Sequence, residues 1–187
     1  MFKFNFQREP VENIENAIAD LKRGSAEAFH ILYGKYNQKV YRFCLRLLGD
    51  RALAEDAFQE TFIKVFEHRN EFRGSNFSSW LFTIARNTCL NYIRGRHDYE
   101  SLEEAFDSPA VQNETDVGMK EFIGRAIEKL PLALREALLL REYEECTYKE
   151  IAEILDIDIS LAKVRVHRAR LILRQLLKPL VKEYYAP

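Results

Sequence analysis

The sequence predicts an all-α fold. Apolar residues recur at three- and four-residue intervals through almost every segment, the spacing of one helix face. Gly and Pro are scarce, 7 and 5 among 187 residues, too few for the turns of an all-β chain. Where the periodicity breaks, capping residues or helix-ending residues stand at the break.

Taken in order, the spacing predicts helices over 11–23, 25–48, 51–69 and 78–96, then 120–130, 132–143, 148–155 and 159–178. Gly49-Asp50 and Arg73-Gly74-Ser75-Asn76 separate the early ones, because Gly, Asn and Asp favour turns over helix interiors. Ser78 or Ser79 is placed to cap the helix that contains Trp80. Pro131 suits a helix start, and Pro179 suits the end of the last helix. Residues 98–118, acidic and carrying Pro109 and Gly118, read as a linker.

Composition narrows the class. Apolar residues are 47% and charged residues 30%, a globular balance. No stretch of 18 apolar residues occurs, so no spanning helix and no membrane insertion are expected. The first ten residues lack the apolar run of a secretory signal, which places the expected location in the cytoplasm. Cys44, Cys89 and Cys146 form no CxxC pair and read as reduced packing residues. His30, His68, His97 and His167 stand on separate segments without metal-ligand spacing. No HExxH, P-loop, dinucleotide turn or nucleophile elbow is found, so an enzyme, a metal and a cofactor are not expected.

The net charge of −1 hides segregation. Residues 1–20 carry −2, 21–97 carry +6, 98–121 carry −7 and 122–187 carry +2. Two basic blocks joined by an acidic segment read as two small domains and a linker, with 1–20 left without a role. Inside the first block, the 26 residues between Glu71 and Asp98 contain no acid. They hold Arg73, Arg86, Arg94 and Arg96, five aromatic residues (Phe72, Phe77, Trp80, Phe82, Tyr92), and Asn76, Asn87 and Asn91. Bases for phosphates, rings for stacking and amides for base edges are what single-stranded nucleic acid requires. An ordinary basic helix over an aromatic core has the same composition.

The 55–67 segment separates into two faces. Ala57, Phe58, Thr61, Phe62, Val65 and Phe66 fall on the core side, while Asp56, Gln59, Glu60, Ile63 and Glu67 form an acidic face with one apolar residue. Such a face repels DNA and suits a basic protein partner, or it is simply solvated.

The strongest local pattern lies at 147–175. Thr147-Tyr148-Lys149-Glu150 has capping-box spacing before a short apolar helix, Asp156-Ile157-Asp158 breaks it, and a longer basic helix follows. This is helix-turn-helix order. On the second helix Ala162, Val166, Ala169, Leu173 and Leu176 share the core face, and Ser160, Lys163, Val164, His167 and Leu171 oppose it, with Arg168 and Arg174 on its flanks. Lys163 and Arg168 can reach phosphates or guanine, His167 can donate to a base edge, and Val164 can pack on a thymine methyl.

Together these pieces resemble the extracytoplasmic-function sigma factors, two-domain specificity subunits of bacterial RNA polymerase. The resemblance covers 21–97 and 122–178. It is carried by Asp56-Ala57-Phe58-Gln59-Glu60-Thr61-Phe62, by Phe72-Arg73-Gly74 with Trp80-Leu81-Phe82-Thr83-Ile84-Ala85-Arg86-Asn87, by Leu130-Pro131 with Arg135-Glu136-Ala137, and by Thr147 to Ala152 and His167 to Arg170.

The resemblance implies that Asp56, Gln59, Glu60 and Ile63 dock on the clamp coiled coil of the polymerase's largest subunit. It implies that Phe72, Arg73, Arg86, Asn87, Arg94 and Arg96 recognise and melt the −10 element, with Phe72 and Asn87 near a flipped-out base. Trp80 is read as core. Ser160, Lys163, Val164, His167 and Arg168 would read the −35 element, and the second domain would also rest on the polymerase flap. An anti-sigma factor is the implied regulator, and the acidic linker would thread near the catalytic cleft. A 24-residue linker reaches at most about 80 Å extended and about 27 Å as a random coil, against about 70–85 Å between two elements 20–25 base pairs apart. The chain departs from the family at the turn, where Asp156 replaces Gly and Ser160-Leu161 replaces Gly-Thr. The competing reading is a stand-alone helix-turn-helix regulator with an N-terminal sensor, which needs neither the acid-free segment nor the Asp56–Ile63 face.

Overall fold

The computed structural model describes residues 11–73, 76–102 and 118–178. All regular structure among them is helical: α1 Val11–Lys22, α2 Ala26–Leu48, α3 Arg51–Glu67, α4 Phe77–Leu102, α5 Met119–Glu128, α6 Leu132–Glu142, α7 Tyr148–Leu155 and α8 Ile159–Leu176. Residues 1–10, residues 103–117 of the expected linker, and Pro179 lie outside the described residues.

Local chemistry sets the boundaries. Ser25 Oγ accepts from Ala28 N at 3.2 Å and Asp50 Oδ1 from Leu53 N at 3.0 Å, each satisfying an otherwise unpaired donor of a first turn. Between α2 and α3, Gly49 takes φ 68°, the left-handed conformation that closes a helix, and its N–H returns to Leu45 O. Thr147 and Glu150 form the expected capping box on α7. Two boundaries differ from the sequence reading. Asn76, rather than Ser78 or Ser79, caps α4, its Oδ1 accepting from Ser79 N at 3.0 Å. And α4 runs on to Leu102, past the expected linker start at 98. Acidic composition suggested a linker there, but no Pro or Gly between Arg96 and Leu102 interrupts the ladder.

Asp156 stands at the turn of the helix-turn-helix with φ 53° and ψ 55°. A Gly adopts the left-handed region without strain, and Asp is among the few other residues that tolerate it. The departure at this position therefore keeps the turn.

In the first module, α3 packs between α2 and α4, and α1 lies along α2. Val40, Phe43, Cys44 and Leu47 of α2 meet Ala54, Ala57, Phe62 and Val65 of α3 and Leu81, Phe82, Ala85 and Cys89 of α4. Burying a side chain such as Phe43 or Leu47 contributes about 1.5–3 kcal/mol each. In the second, α8 packs on α6 and α7 through Ala162, Val166 and Ala169. All three cysteines are free thiols and buried, Cys44 and Cys89 facing each other between α2 and α4.

The modules are not held apart. α6 and α7 pack on α2 and α4, and one continuous cluster of buried side chains runs through both. Arg135 of α6 donates to Leu47 O at 3.0 Å and to Leu130 O at 3.2 Å, and the Arg46 guanidinium lies 3.9 Å over the Tyr143 ring.

Candidate nucleic-acid and polymerase interfaces

Three surfaces hold the residues singled out from sequence. The first is the outer face of α3. Asp56 and Gln59 are exposed there, and Ile63 is 57% exposed, far above what an isoleucine inside a fold shows. Two positions differ from expectation. Glu60 is half-buried and turned toward α4. Its Oε1 lies 2.6 Å from Lys64 Nζ, which also reaches Thr88 Oγ1 at 3.4 Å. The Lys64 hydrogen bond, with help from Tyr92, holds the Glu60 carboxyl below the usual range despite its burial. Burial and Glu60 push the Tyr92 phenol up to about 12. Glu60 thus ties α3 to α4. Phe66, assigned to the core from sequence, is 37% exposed. It stands edge-on against Phe29 at 5.5 Å with the Arg69 guanidinium 4.5 Å from its ring. One turn from Ile63, it widens the apolar part of the face.

The second surface is α4 and the loop before it. Arg73, Asn87, Arg94 and Arg96 are exposed. Asn87, Asn91 and Arg94 fall at i, i+4 and i+7 and form one exposed row of two amides and a base. Asn91 lay within the acid-free segment, and its place in this row singles it out. Phe72 is only 5% exposed, packed against Phe77 at 5.7 Å and Trp80 at 5.3 Å, with Lys22 Nζ 5.0 Å from its ring. In this arrangement its ring is taken up by Phe77, Trp80 and Lys22 and offers no face to a base, contrary to expectation. Trp80 is half-buried against the core, as read from sequence. Arg86 also differs from expectation. It is turned inward, its Nε 3.2 Å from Glu136 Oε1 across the seam, while its Nη1 reaches Asn87 Oδ1 at 3.4 Å.

The third surface is α8. Ser160, Lys163, Val164, His167 and Arg168 are all exposed on one side, opposite the buried Ala162, Val166 and Ala169. Arg170 is excluded from this face. It is tied to Glu142 of α6 at 2.5 Å, which raises its pKa further. Lys163 Nζ lies 6.0 Å from the Tyr148 ring. A helix held by its small-residue face, presenting bases, an imidazole and a branched apolar side chain to solvent, has the dimensions and chemistry of a major-groove reader.

The fold and these faces define a two-module helical protein that carries a helix-turn-helix behind a basic, aromatic-rich four-helix unit. Residues 32–98 match the family model Sigma-70 region 2, and 122–173 match Sigma-70 region 4. The RNA polymerase sigma-H factor of Pseudomonas aeruginosa is 32% identical, covering 92% of this chain and 97% of that protein. The ECF RNA polymerase sigma-E factor of Escherichia coli is 33% identical, covering 87% and 93%. The sigma factor RpoE of Bartonella quintana, solved in complex with the anti-sigma factor NepR, superposes with a TM-score of 0.70 at 29% identity, covering 82% of this chain and 98% of that one. CnrH, solved with the cytosolic domain of CnrY, shares the fold at a TM-score of 0.69 and 19% identity, covering 89% and 98%. The chain belongs to the extracytoplasmic-function sigma factors of bacterial RNA polymerase. It is a transcription initiation factor, and the stand-alone regulator reading is not favoured, because the first module is a sigma region 2 rather than a sensor. Among the described residues no helix is long and apolar enough to cross a membrane.

Proposed function

We propose that this sigma factor divides its work among the three faces. Asp56, Gln59, Ile63 and Phe66 of α3 dock on the clamp coiled coil of core polymerase. Asn87, Asn91, Arg94 and Arg96, with Arg73 from the preceding loop, hold the melted −10 strand. Ser160, Lys163, Val164, His167 and Arg168 of α8 read the −35 duplex, with the second module resting on the flap. The polymerase performs the chemistry, and this chain selects where it begins. Its place of action is the cytoplasm, where promoter and polymerase are. As RpoE of Bartonella quintana was solved with the anti-sigma factor NepR, an anti-sigma factor is the expected regulator here.

The observation that carries the reading is the separation of chemistries. An acidic face with exposed Ile63 sits on α3, while α4 carries bases and no acid from Phe77 to His97, and α8 carries bases and no acid along its length. A protein partner and a polyanion therefore meet different sides of the molecule. Co-elution of the full chain with bacterial core polymerase tests it, beside Ile63→Arg and Gln59→Arg. Binding by the native chain and its loss in both variants, with unchanged folding, is expected. Absence of native binding would overturn the docking assignment.

A further inference from the structure

The seam between the modules covers two side chains, one on α4 and one at its N-cap, whose chemistry suits a nucleic-acid strand. Arg86 is one. Its Nε lies 3.2 Å from Glu136 Oε1 and its Nη2 donates to Glu136 Oε2 at 3.3 Å. The two side chains are 18% and 3% exposed. The other is Asn76. Its Oδ1 is used to cap α4, which fixes the amide and aims Nδ2 across the seam, where it donates to Glu150 Oε1 at 2.5 Å. Glu150 is itself fixed, its other oxygen accepting from Thr147 N at 2.6 Å and Thr147 Oγ1 at 2.7 Å.

Both covered groups are donors from the acid-free segment, and both acceptors are carboxylates of the second module, Glu136 on α6 and Glu150 on α7. A carboxylate offers a guanidinium the same pair of anionic oxygens that a phosphodiester does. α6 also packs on α2, where Arg135 donates to Leu47 O at 3.0 Å, and α7 packs on α4, so the second module meets the first at more than one point. A buried charge is costly unless paired, and Glu136 meets its partner only while the modules are together.

We infer that α6 and α7 cover the strand-binding surface of the first module. Glu136 and Glu150 stand where phosphates of single-stranded DNA lie in the open form, and Asn76 joins Arg86 among the residues that contact that strand. The covered form and strand binding exclude one another. The inference rests on the −10 reading of α4. It adds a contact residue to that reading, and it names what keeps the free chain off DNA.

The test uses the full chain without polymerase. Its readouts are the radius of gyration by small-angle scattering and the affinity for a fluorescent single-stranded 20-mer of random sequence at low and moderate salt. Sequence-independent phosphate contacts need no cognate promoter. Glu136→Gln is expected to enlarge the particle and tighten oligonucleotide binding about tenfold, with a steeper salt dependence. Adding Arg86→Ala or Asn76→Ala to that variant is expected to reverse most of the gain. The exchange Arg86→Glu with Glu136→Arg is expected to restore the compact particle and bind the oligonucleotide no better than the native chain. An unchanged radius in Glu136→Gln would show that the pair does not hold the modules together. A larger particle with unchanged affinity would show that the covered surface is not a DNA surface. If Glu136→Gln does not fold, the exchanged pair decides, because an expanded exchanged protein contradicts the inference. Co-elution of Glu136→Gln with core polymerase is read separately. If the native chain fails to co-elute, the docking assignment fails while the scattering and oligonucleotide results still stand on their own.

Discussion

Thr147 and Glu150 cap α7 reciprocally. Glu150 N donates to Thr147 Oγ1 at 3.2 Å, and Thr147 N donates back to Glu150 Oε2 at 2.6 Å. Two otherwise unpaired donors of a short helix are satisfied at once. α7 has eight residues, too few to be stable without caps and packing. Thr147→Ala is therefore expected to lower unfolding stability by about 1 kcal/mol, read as a shift of the urea midpoint at unchanged slope. An unchanged midpoint would mean that packing of Ile151, Ile154 and Leu155 alone fixes the helix.

Asp156 closes the same helix in the left-handed region, at φ 53°. A Cβ is tolerated there at a cost, and Gly removes that cost. Asp156→Gly is expected to raise stability by about 0.5–1 kcal/mol, the gain being limited by the freer unfolded chain. Thermal melts of the two proteins at equal concentration measure it. Destabilisation would show that the Asp156 carboxylate makes a contact the turn depends on.

Periodicity and caps made the helices legible in the sequence, including the helix-turn-helix. Such signals act over a few residues, which is why the Thr147 box and the Pro131 start could be read directly. What sequence could not show was which way an amphipathic side chain leans. Phe66 sits at the edge of the apolar stripe of α3, where a wheel assigns it to the core and tertiary packing leaves it 37% exposed. Phe72 and Arg86 carry nucleic-acid chemistry by type, yet one is buried beneath Trp80 and the other is taken by Glu136, a residue 50 positions later. Long-range pairing of this kind leaves no local periodic trace. Asn76 was visible as an amide, but its role as a cap followed only from the geometry of the Ser79 amide.

The α3 face can be dissected by pairing two neighbours of opposite fate. Phe66 is a rigid, part-exposed aromatic braced by Phe29 and Arg69, the kind of side chain that carries interface energy. Phe66→Ala is expected to weaken core-polymerase binding by at least about tenfold, about 1.4 kcal/mol. Glu60 instead pairs with Lys64 within the fold. Glu60→Gln is expected to lower stability by about 0.5 kcal/mol, the size of a part-exposed i,i+4 pair, and to leave polymerase affinity unchanged. Titration of labelled core with both variants separates the two. A loss of affinity in Glu60→Gln equal to that in Phe66→Ala would return Glu60 to the docking face.

Glu144 supplies a pH dependence. Burial raises its carboxyl above the ordinary range, and Lys39, Arg42 and Arg46 of α2 only partly oppose this. Its Oε2 is buried without a hydrogen-bond partner. The folded form therefore holds the proton more tightly than the unfolded chain. The stability this contributes is fully present below the unfolded carboxylate pKa and is lost as pH rises through the raised value. Glu144→Gln removes the ionisation. The melting temperature of the variant is expected to match the native protein near pH 4 and to exceed it increasingly toward pH 7. A difference that stays flat or shrinks with rising pH would place Glu144 as a paired, stabilising carboxylate instead.

On α8, phosphate contacts and base contacts separate by their salt dependence. Lys163 and Arg168 are exposed cations beside Val164, an exposed apolar side chain on the same face, whereas Arg170 is engaged by Glu142. A lost phosphate contact weakens binding to all sequences and lowers the slope of log affinity against log salt by about 1. A lost apolar base contact changes which base is preferred and leaves the slope alone. The assay is binding of the reconstituted holoenzyme to duplexes enriched from a random pool by the native holoenzyme. Lys163→Ala and Arg168→Ala are each expected to reduce affinity, with a shallower salt slope wherever the side chain meets a phosphate. Val164→Ser is expected to keep the slope and relax preference at one position of the −35 element. Arg170→Ala is expected to leave slope and preference unchanged and to appear only as a small loss of stability, since its guanidinium is spent on holding α8 against α6. A changed slope in Arg170→Ala would mean that the Glu142 tie opens on the promoter and that the DNA-facing side of α8 is wider than the exposed row from Ser160 to Arg168.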